Sequence, residues 1–222
     1  MHEATLAWIM QAAESRYTYN FTWLGRPIIQ FPQDMMGVQE IVWKLRPDAI
    51  VETGVAHGGS IVYYASLLQL LGGDAWVLGI DIDIRPHNRA AIEQHPLFPR
   101  IKLLEGSSIG DDTFAQVRAL CQGKRRVLVV LDSNHTHNHV LRELQLYSQL
   151  VRQDGYIVVM DTVVEDMPPG SFPDRPWDRG NNPKTAVWEF LKSNDRFEID
   201  KELENRLQIT VAPDGWLRCI KD

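Results

Sequence analysis

The chain has 222 residues, of which 44% are hydrophobic and 23% are charged, and its formal net charge is −6 at pH 7. This length suits one large domain over residues 1–222. An acidic chain without a basic stripe is not expected to bind nucleic acid or an anionic membrane surface, and no apolar run approaches the eighteen or so residues of a membrane helix. With two cysteines and no signal-peptide pattern, the sequence favours a cytoplasmic protein.

The elements in chain order predict an α/β fold. Residues 1–46 contain a helical stretch and an irregular aromatic segment at 17–23, which we expect to cover the open end of a sheet formed by residues 47–222. Five later runs are continuously apolar, as is typical of strands covered on both faces; they are 49–52, 76–82, 101–104, 127–131 and 156–160. Helical stretches separate them at 61–71, 88–94, 114–120 and 140–151. This alternation predicts a mostly parallel, doubly wound sheet.

The C-terminal part changes character. Asn182-Pro183 reads as a helix cap followed by proline in the first turn, and predicts a helix to about Lys192. Strand-like runs follow at 197–199, 207–212 and 216–220, so we expect an antiparallel strand at the sheet edge; which of the last two runs joins the main sheet stays open. The segment 163–183 is long and rich in Pro, Gly, Asp and Arg, which indicates either a lid or binding loop or a solvated connection.

The first strand leads into a glycine-rich loop, IVETGVAHGGS, at Ile50–Ser60. It lacks the lysine of a Walker loop and the G-x-G-x-x-G spacing of a dinucleotide site. Asp81 follows by about twenty residues, the distance at which a carboxylate meets ribose hydroxyls, and Gly106-Ser107 is placed to border a base. Glu52 suits a cationic amino acid and repels phosphate. The combination points to S-adenosylmethionine, whereas the loop alone is equally a tight strand-to-helix turn.

Asp132 and Asp161 end neighbouring predicted strands. Two carboxylates that lie close together are unfavourable unless a cation bridges them, and hard oxygen ligands suit Mg²⁺; the alternative is that they cap the following helices. His135 lies three residues beyond Asp132, where it is placed to act as a general base toward an acceptor hydroxyl or, alternatively, to make a structural hydrogen bond. Zinc is not expected, because the pattern H-E-x-x-H is absent, and we interpret His137 and His139 as structural.

Several blocks resemble the cephalosporin hydroxylase family, which includes rhamnosyl O-methyltransferases. They are WLGRPIIQFPQDM, VETGVAHGGS, LDSNHTHNHVLREL, VVMDT, NNPKTAVWEFL and ITVAPDGWL, and they run from about Trp23 to the C-terminus. The resemblance implies a seven-stranded class I methyltransferase fold, oligomeric assembly, and Mg²⁺ at the fourth and fifth strands. Carried over by position, the metal ligands are Asp132 and Asp161, and the cofactor contacts are Glu52, Thr53, Gly54, Ala56, Gly58, Gly59, Ser60, Asp81, Gly106, Ser107 and Asp132.

The sequence departs from the family pattern at one position. Some family members place a glutamate before the second metal aspartate, where this chain has Met160, so the metal would take Thr162, Glu165, Asp166 or waters, or bind more weakly. The spacing of Asp132 and His135 also resembles catechol-type O-methyltransferases, in which the base is a lysine. Hydroxylation is set aside, because no certain triad of two histidines and one carboxylate is present.

We therefore predict an S-adenosylmethionine-dependent and Mg²⁺-dependent O-methyltransferase. Its acceptor would be a small polar molecule, such as a sugar or a hydroxylated natural product. The alternatives are a nicotinamide-dependent oxidoreductase, which the imperfect glycine spacing disfavours, and a non-catalytic cofactor-binding subunit, which Met160 favours.

Overall fold

The N-terminal segment contains two helices and a small hairpin. The computed structural model describes residues 3–222. Helix α1 (Glu3–Glu14) is followed by strands β1 (Thr22–Trp23) and β2 (Arg26–Pro27) and by helix α2 (Pro32–Leu45). The sequence prediction had only one helix here and missed α2, although proline stands at its first position, where the absent N–H costs nothing.

The predicted sheet is confirmed, with seven strands. Its parallel strands are β3 (Ala49–Thr53), β4 (Trp76–Asp81), β5 (Ile101–Glu105), β6 (Val127–Leu131) and β7 (Tyr156–Val159). Two further strands, β8 (Phe197–Ile199) and β9 (Trp216–Cys219), complete the order β5-β4-β3-β6-β7-β9-β8. Strand β9 runs antiparallel to β7 and to β8, as expected for the C-terminal edge.

Helices cover both faces of the sheet. After the strands come α3 (Gly59–Leu71), α4 (Pro86–Glu93), α5 (Asp111–Leu120), α6 (His137–Tyr147), α7 (Pro183–Ser193) and α8 (Lys201–Leu207). Successive residues of β6 belong to opposite faces: Leu128 packs in the core that contains α2 and α3, and Val129 packs in the core that contains α5, α6 and α7. This two-sided burial explains why the strands read as continuous apolar runs.

The predicted strand at 207–212 is wrong, whereas the run at 216–220 forms β9. The preceding residues form α8, because the Asp200 side chain caps it by accepting from the Leu203 N–H at 2.9 Å. The backbone of Val211 then bonds outside the sheet, donating to Asp34 at 3.0 Å and accepting from the Val163 N–H at 3.0 Å. Tertiary hydrogen bonds thus replace a strand ladder here.

Within residues 3–222, no helix combines the length and apolarity needed to cross a membrane.

Candidate active site at the carboxyl edge of the sheet

The strand order reverses between β3 and β6, which is where open α/β sheets bind ligands. Thr53 pairs with Leu131 across this junction, and Leu131 pairs with Val159 of β7. Because these three strands end at the same level, the residues that follow them emerge at one edge. The register therefore brings the glycine-rich loop, Asp132 and the Met160-Asp161 turn together.

Backbone packing accounts for two glycines of the loop. Gly54 has a φ of +94°, and a Cβ there would lie 2.0 Å from the Asp132 carbonyl oxygen. A Cβ on Gly59 would lie 2.2 Å from the carbonyl oxygen of Pro27. The close approach lets the loop form one wall of a narrow cleft of about 50 Å³, whose other walls belong to the N-terminal segment and to Asp132. The cleft is lined by Pro27, Ile29, Gln30, Gly54, Val55, Ala56, His57, Gly59, Ser60 and Asp132.

Asp81 holds the glycine-rich loop in place. Its Oδ2 accepts from the backbone N–H groups of Val55 at 2.9 Å and Ala56 at 3.3 Å. Gly106 lies beside it, since the Gly106 N–H donates to the Asp81 carbonyl oxygen at 2.8 Å. The contact of Asp81 with a ribose stays a prediction.

Other predicted cofactor residues lie around the cleft without lining it. Thr53 is buried, and its hydroxyl is 3.4 Å from the Asp132 N–H. Gly58 packs against Ile92, where a Cβ would be 2.4 Å from the Ile92 side chain. Ser107 follows Gly106 beyond β5, away from the cleft walls. Their contacts with a cofactor stay predictions.

Glu52 is enclosed behind the cleft. Its side chain is fully buried, and its two oxygens accept from the Ser60 hydroxyl at 2.6 Å and the Tyr64 hydroxyl at 3.0 Å. Burial raises the pKa of Glu52 to about 8, the two hydroxyl donors oppose that rise, and the charge of Asp81 adds to it. Ser60 therefore stands between this carboxyl and the cleft, where the sequence had suggested direct contact with a ligand.

Asp132, His135 and Asp161 meet beside the cleft. One ligand atom from each lies within 4.8 Å of the others, and His135 Nε2 is 3.3 Å from Asp161 Oδ2. Asp161 adopts a left-handed backbone with a φ of +56°, a conformation that Asp tolerates better than most residues and that turns the chain sharply after β7. Desolvation, and then the charges of Asp161 and Glu52, raise the pKa of Asp132 well above its usual range. The helix-capping alternative does not apply, since neither carboxylate makes a capping bond.

The other side chains considered as metal ligands make hydrogen bonds or an ion pair away from the cluster. The Thr162 hydroxyl is buried and donates to the Pro213 carbonyl oxygen at 2.6 Å. Glu165 accepts from the Asn182 side chain and from the Gly180 N–H, both within the loop. Asp166 pairs with Lys184 at 2.7 Å. His135 is therefore the third side chain at this centre, and sequence reasoning had assigned it only the role of base.

A second, larger cavity opens on the other side of Asp132. Its volume is about 330 Å³. Helix α1 and the loop after Asp161 both contribute residues to its wall; that the N-terminal segment covers the open end of the sheet and that the long loop is a lid stay predictions. Trp177 of that loop packs edge-on against the His135 ring, with centroids 4.7 Å apart, and Arg175 lies over the Trp177 ring at 5.2 Å.

Sequence reasoning missed two residues of this cavity, Gln30 and Asp34. Both are buried side chains on its wall. The sequence offered little indication of a role for Asp34, because an acidic residue in the first turn of a helix commonly stabilises the helix dipole. His137 and His139 lie outside the cavity, as their structural interpretation requires; His137 contacts Thr185 at 2.8 Å, and His139 contacts Ser108 at 3.0 Å.

The strand order, the antiparallel β9 and the acidic residues at the β3–β6 junction define a class I methyltransferase fold. The family model of rhamnosyl O-methyltransferase/CmcI matches residues 15–220. The chain is 30% identical over 199 residues to the rhamnosyl O-methyltransferase of Mycobacterium tuberculosis (strain ATCC 25618 / H37Rv), covering 88% of this chain and 77% of that protein. It is also 30% identical over 198 residues to the rhamnosyl O-methyltransferase of Mycobacterium leprae (strain TN), covering 88% and 82%.

Solved structures agree with the fold. A structure described as CmcI-D160 with Mg and SAM superposes with a TM-score of 0.64 at 20% identity, covering 91% of this chain and 77% of that one. The O-methyltransferase from Bacillus cereus in complex with SAH gives 0.56 at 18% identity, covering 89% and 83%.

The chain belongs to the rhamnosyl O-methyltransferase/CmcI family. It is therefore an S-adenosylmethionine-dependent methyltransferase, and this membership decides against the nicotinamide alternative.

Proposed function

We propose that this enzyme methylates a hydroxyl group of a small polyhydroxylated acceptor, with a divalent cation, Mg²⁺, at Asp132 and Asp161. One observation carries the proposal. The narrow cleft and the larger cavity share Ile29, Gln30 and Asp132, and the cluster of Asp132, His135 and Asp161 lies where they join. A methyl donor in the cleft and a hydroxyl group in the cavity would therefore meet beside the cluster.

The donor set fits a divalent cation. Asp132 and Asp161 carry like charges at close range, and the pKa of Asp132 is raised in part by Asp161, a repulsion that a cation would relieve. Among the described residues, neither carboxylate pairs with a lysine or arginine. Two carboxylate oxygens and open positions for water and substrate are the environment that Mg²⁺ takes in proteins. When bound, Mg²⁺ would orient the acceptor oxygen and lower the pKa of its hydroxyl.

The cleft, at about 50 Å³, would enclose only part of S-adenosylmethionine, and the rest would extend toward Asp81, which contacts Val55 and Ala56 of the cleft wall. The loop from Gly54 to Ser60 would hold the methionine part, and Asp81 would accept hydrogen bonds from the ribose. Its methyl group is carried by a sulfonium sulfur, so the acceptor oxygen forms the new C–O bond as the C–S bond breaks and the sulfur keeps that electron pair. The acceptor's proton must leave in the same process.

His135 is assigned as the acceptor of that proton. Its ring lies at the junction, it is held edge-on by Trp177, and its Nε2 is 3.3 Å from Asp161 Oδ2, so a ring nitrogen lies beside the proposed metal position. The loop that carries Trp177 also excludes water from the site, and the fixed positions of the two substrates supply much of the rate enhancement.

The acceptor class follows from cavity size and from the relatives. A volume of about 330 Å³ suits a single-ring molecule, at the lower end of ligand pockets, roughly 300–1,000 Å³. The curated relatives are named rhamnosyl O-methyltransferases, so a sugar hydroxyl is the acceptor that we propose. Oligomeric assembly and the single-domain organisation over 1–222 remain predictions.

Metal and cofactor titrations test this function. We expect calorimetry to show Mg²⁺ binding to the wild-type protein, loss of that binding in Asp132→Asn, and nearly unchanged binding of S-adenosylhomocysteine in the variant. Transfer of label from S-adenosylmethionine to methyl α-L-rhamnopyranoside should require Mg²⁺. Full activity of Asp132→Asn in chelator would refute the metal role.

The role of His135 is tested separately with His135→Gln. If His135 accepts the proton, the variant keeps the wild-type Mg²⁺ affinity and loses roughly 10²–10⁴-fold in kcat. A drop in Mg²⁺ affinity comparable to that of Asp132→Asn would instead make His135 a metal ligand.

A further inference from the structure

Asp34 is a buried carboxylate on the wall of the larger cavity. Its side chain is fully buried in the first turn of α2. Oδ2 accepts from the Val211 N–H at 3.0 Å, and Oδ1 has no hydrogen-bond partner among residues 3–222. Burial raises the pKa of Asp34 to about 7, the Val211 N–H opposes the rise, and the charge of Asp161 adds to it. A buried oxygen that lacks a hydrogen-bond donor lowers the stability of the folded state.

Gln30 presents a second unpaired acceptor on the same wall. Its Nε2 donates to the Tyr64 hydroxyl at 3.3 Å, and that hydroxyl donates to Glu52. Gln30 Oε1 is buried and has no partner in the described chain. The wall therefore carries two oxygens that accept hydrogen bonds and lack donors.

A ligand rich in hydroxyl groups would complement these two unpaired oxygens. Acceptor oxygens bind O–H donors, and a site built to hydrogen-bond a hydroxyl discriminates strongly against an analogue that lacks it. The same cavity wall includes the apolar residues Phe31, Met160 and Val211, which suit the carbon skeleton of a ring. Asp34 does not belong to the cluster of Asp132, His135 and Asp161, so a metal bound there would leave Asp34 Oδ1 without a partner.

We propose that Asp34, assisted by Gln30, binds a second hydroxyl group of the acceptor and so selects acceptors with at least two neighbouring hydroxyls over mono-alcohols. The inference rests on the proposed function only in taking the larger cavity as the acceptor site. Asp34 is a positioning and specificity-determining residue in this account; it takes no part in the transfer of the methyl group.

The test measures binding rather than turnover. Affinities of cis-cyclohexane-1,2-diol, methyl α-L-rhamnopyranoside and cyclohexanol are measured by ligand-observed NMR, with S-adenosylhomocysteine and Mg²⁺ in every sample. The proteins are wild type, Asp34→Asn and Asp178→Asn. Asp178 is the matched control, because its Oδ2 accepts from the Gly170 N–H at 2.7 Å, its Oδ1 is buried without a partner, and it does not line the cavity.

At about pH 8.5, where a carboxyl with a pKa of about 7 is ionised, we expect wild type and Asp178→Asn to bind the diol and the rhamnoside roughly tenfold to a hundredfold more tightly than cyclohexanol, the range for a hydrogen bond to a charged group. Asp34→Asn should lose this preference and keep its affinity for cyclohexanol and S-adenosylhomocysteine. The proposal is overturned if wild type shows no preference for either polyol, or if Asp34→Asn keeps it. Failure of methyl transfer with intact diol selectivity would refute the proposed function and leave this inference standing.

Discussion

Replacing Glu52 by glutamine should change how the stability of the protein depends on pH. The carboxyl of Glu52 is fully buried, and its pKa is raised from 4.5 to about 8, chiefly by burial. Glutamine has nearly the same shape and is neutral at every pH. It also keeps a carbonyl oxygen that can accept from Ser60 or Tyr64. Glu52→Gln therefore removes the titration with little change in packing.

The direction in which stability changes with pH follows from the number of protons bound in the folded and unfolded states. Between about pH 4.5 and pH 8 the folded state keeps a proton on Glu52 that the unfolded state has released, so the free energy of unfolding falls as pH rises. A difference of one in pKa between the folded and unfolded states corresponds to about 1.4 kcal/mol. The titration of Glu52 therefore makes the free energy of unfolding about 5 kcal/mol lower above pH 8 than below pH 4.5. At neutral pH the difference is about 3 kcal/mol.

The assay is urea denaturation of both proteins from acid to alkaline pH, in chelator and without cofactor. The difference in unfolding free energy between Glu52→Gln and wild type cancels the titration of Asp34, since both proteins contain it. The charge of Glu52 raises the pKa of Asp132, so its removal lowers that pKa and favours the variant at alkaline pH in the same direction. We expect that difference to grow in favour of the variant from near zero in acid to several kcal/mol above pH 8, and to stay flat for Glu198→Gln, at an exposed position of β8. A flat difference for Glu52→Gln would refute the reasoning.

Three further predictions concern the glycine-rich loop, the long loop and helix α7. Gly54→Ala should abolish Mg²⁺ binding measured by calorimetry, because its Cβ would lie 2.0 Å from the Asp132 carbonyl oxygen. Gly72→Ala, with open space around its Cβ, should keep that binding. Equal Mg²⁺ affinities of the two variants would contradict the packing argument. Trp177→Ala should weaken binding of methyl α-L-rhamnopyranoside in equilibrium titrations and leave that of S-adenosylhomocysteine unchanged, since Trp177 lines the larger cavity and not the cleft. Asn182→Ala should lower the free energy of unfolding in urea by about 1–2 kcal/mol, because it removes a capping box at α7, and a wild-type midpoint would count against that cap.

The sequence by itself determined the sheet and the edge at which the chemistry lies. Five short, mostly apolar runs that alternate with helical stretches indicated strands covered on both faces, because burial on a single face would have placed polar residues between the apolar ones throughout. Parallel strands end at a common edge, so Asp132 and Asp161 had to lie near each other once their strands were recognised. The family blocks added the number of strands and supported the cofactor that the glycine-rich loop and Asp81 had indicated, whereas the choice between the runs 207–212 and 216–220 stayed open.

Only the tertiary structure decided which side chains complete the site. Asp34 is separated from Asp161 by more than a hundred residues in the chain, and no local pattern reports that α2 packs its first turn into the cavity. The place of His135 beside Asp161, and the enclosure of Glu52 behind Ser60, likewise depend on how loops turn after the strands. The run at 207–212 shows the same limit: its strand propensity is real, but long-range hydrogen bonds to Asp34 and Val163 determine its backbone. Propensity acts between neighbours in sequence, whereas these contacts form between segments that meet only after the sheet has assembled.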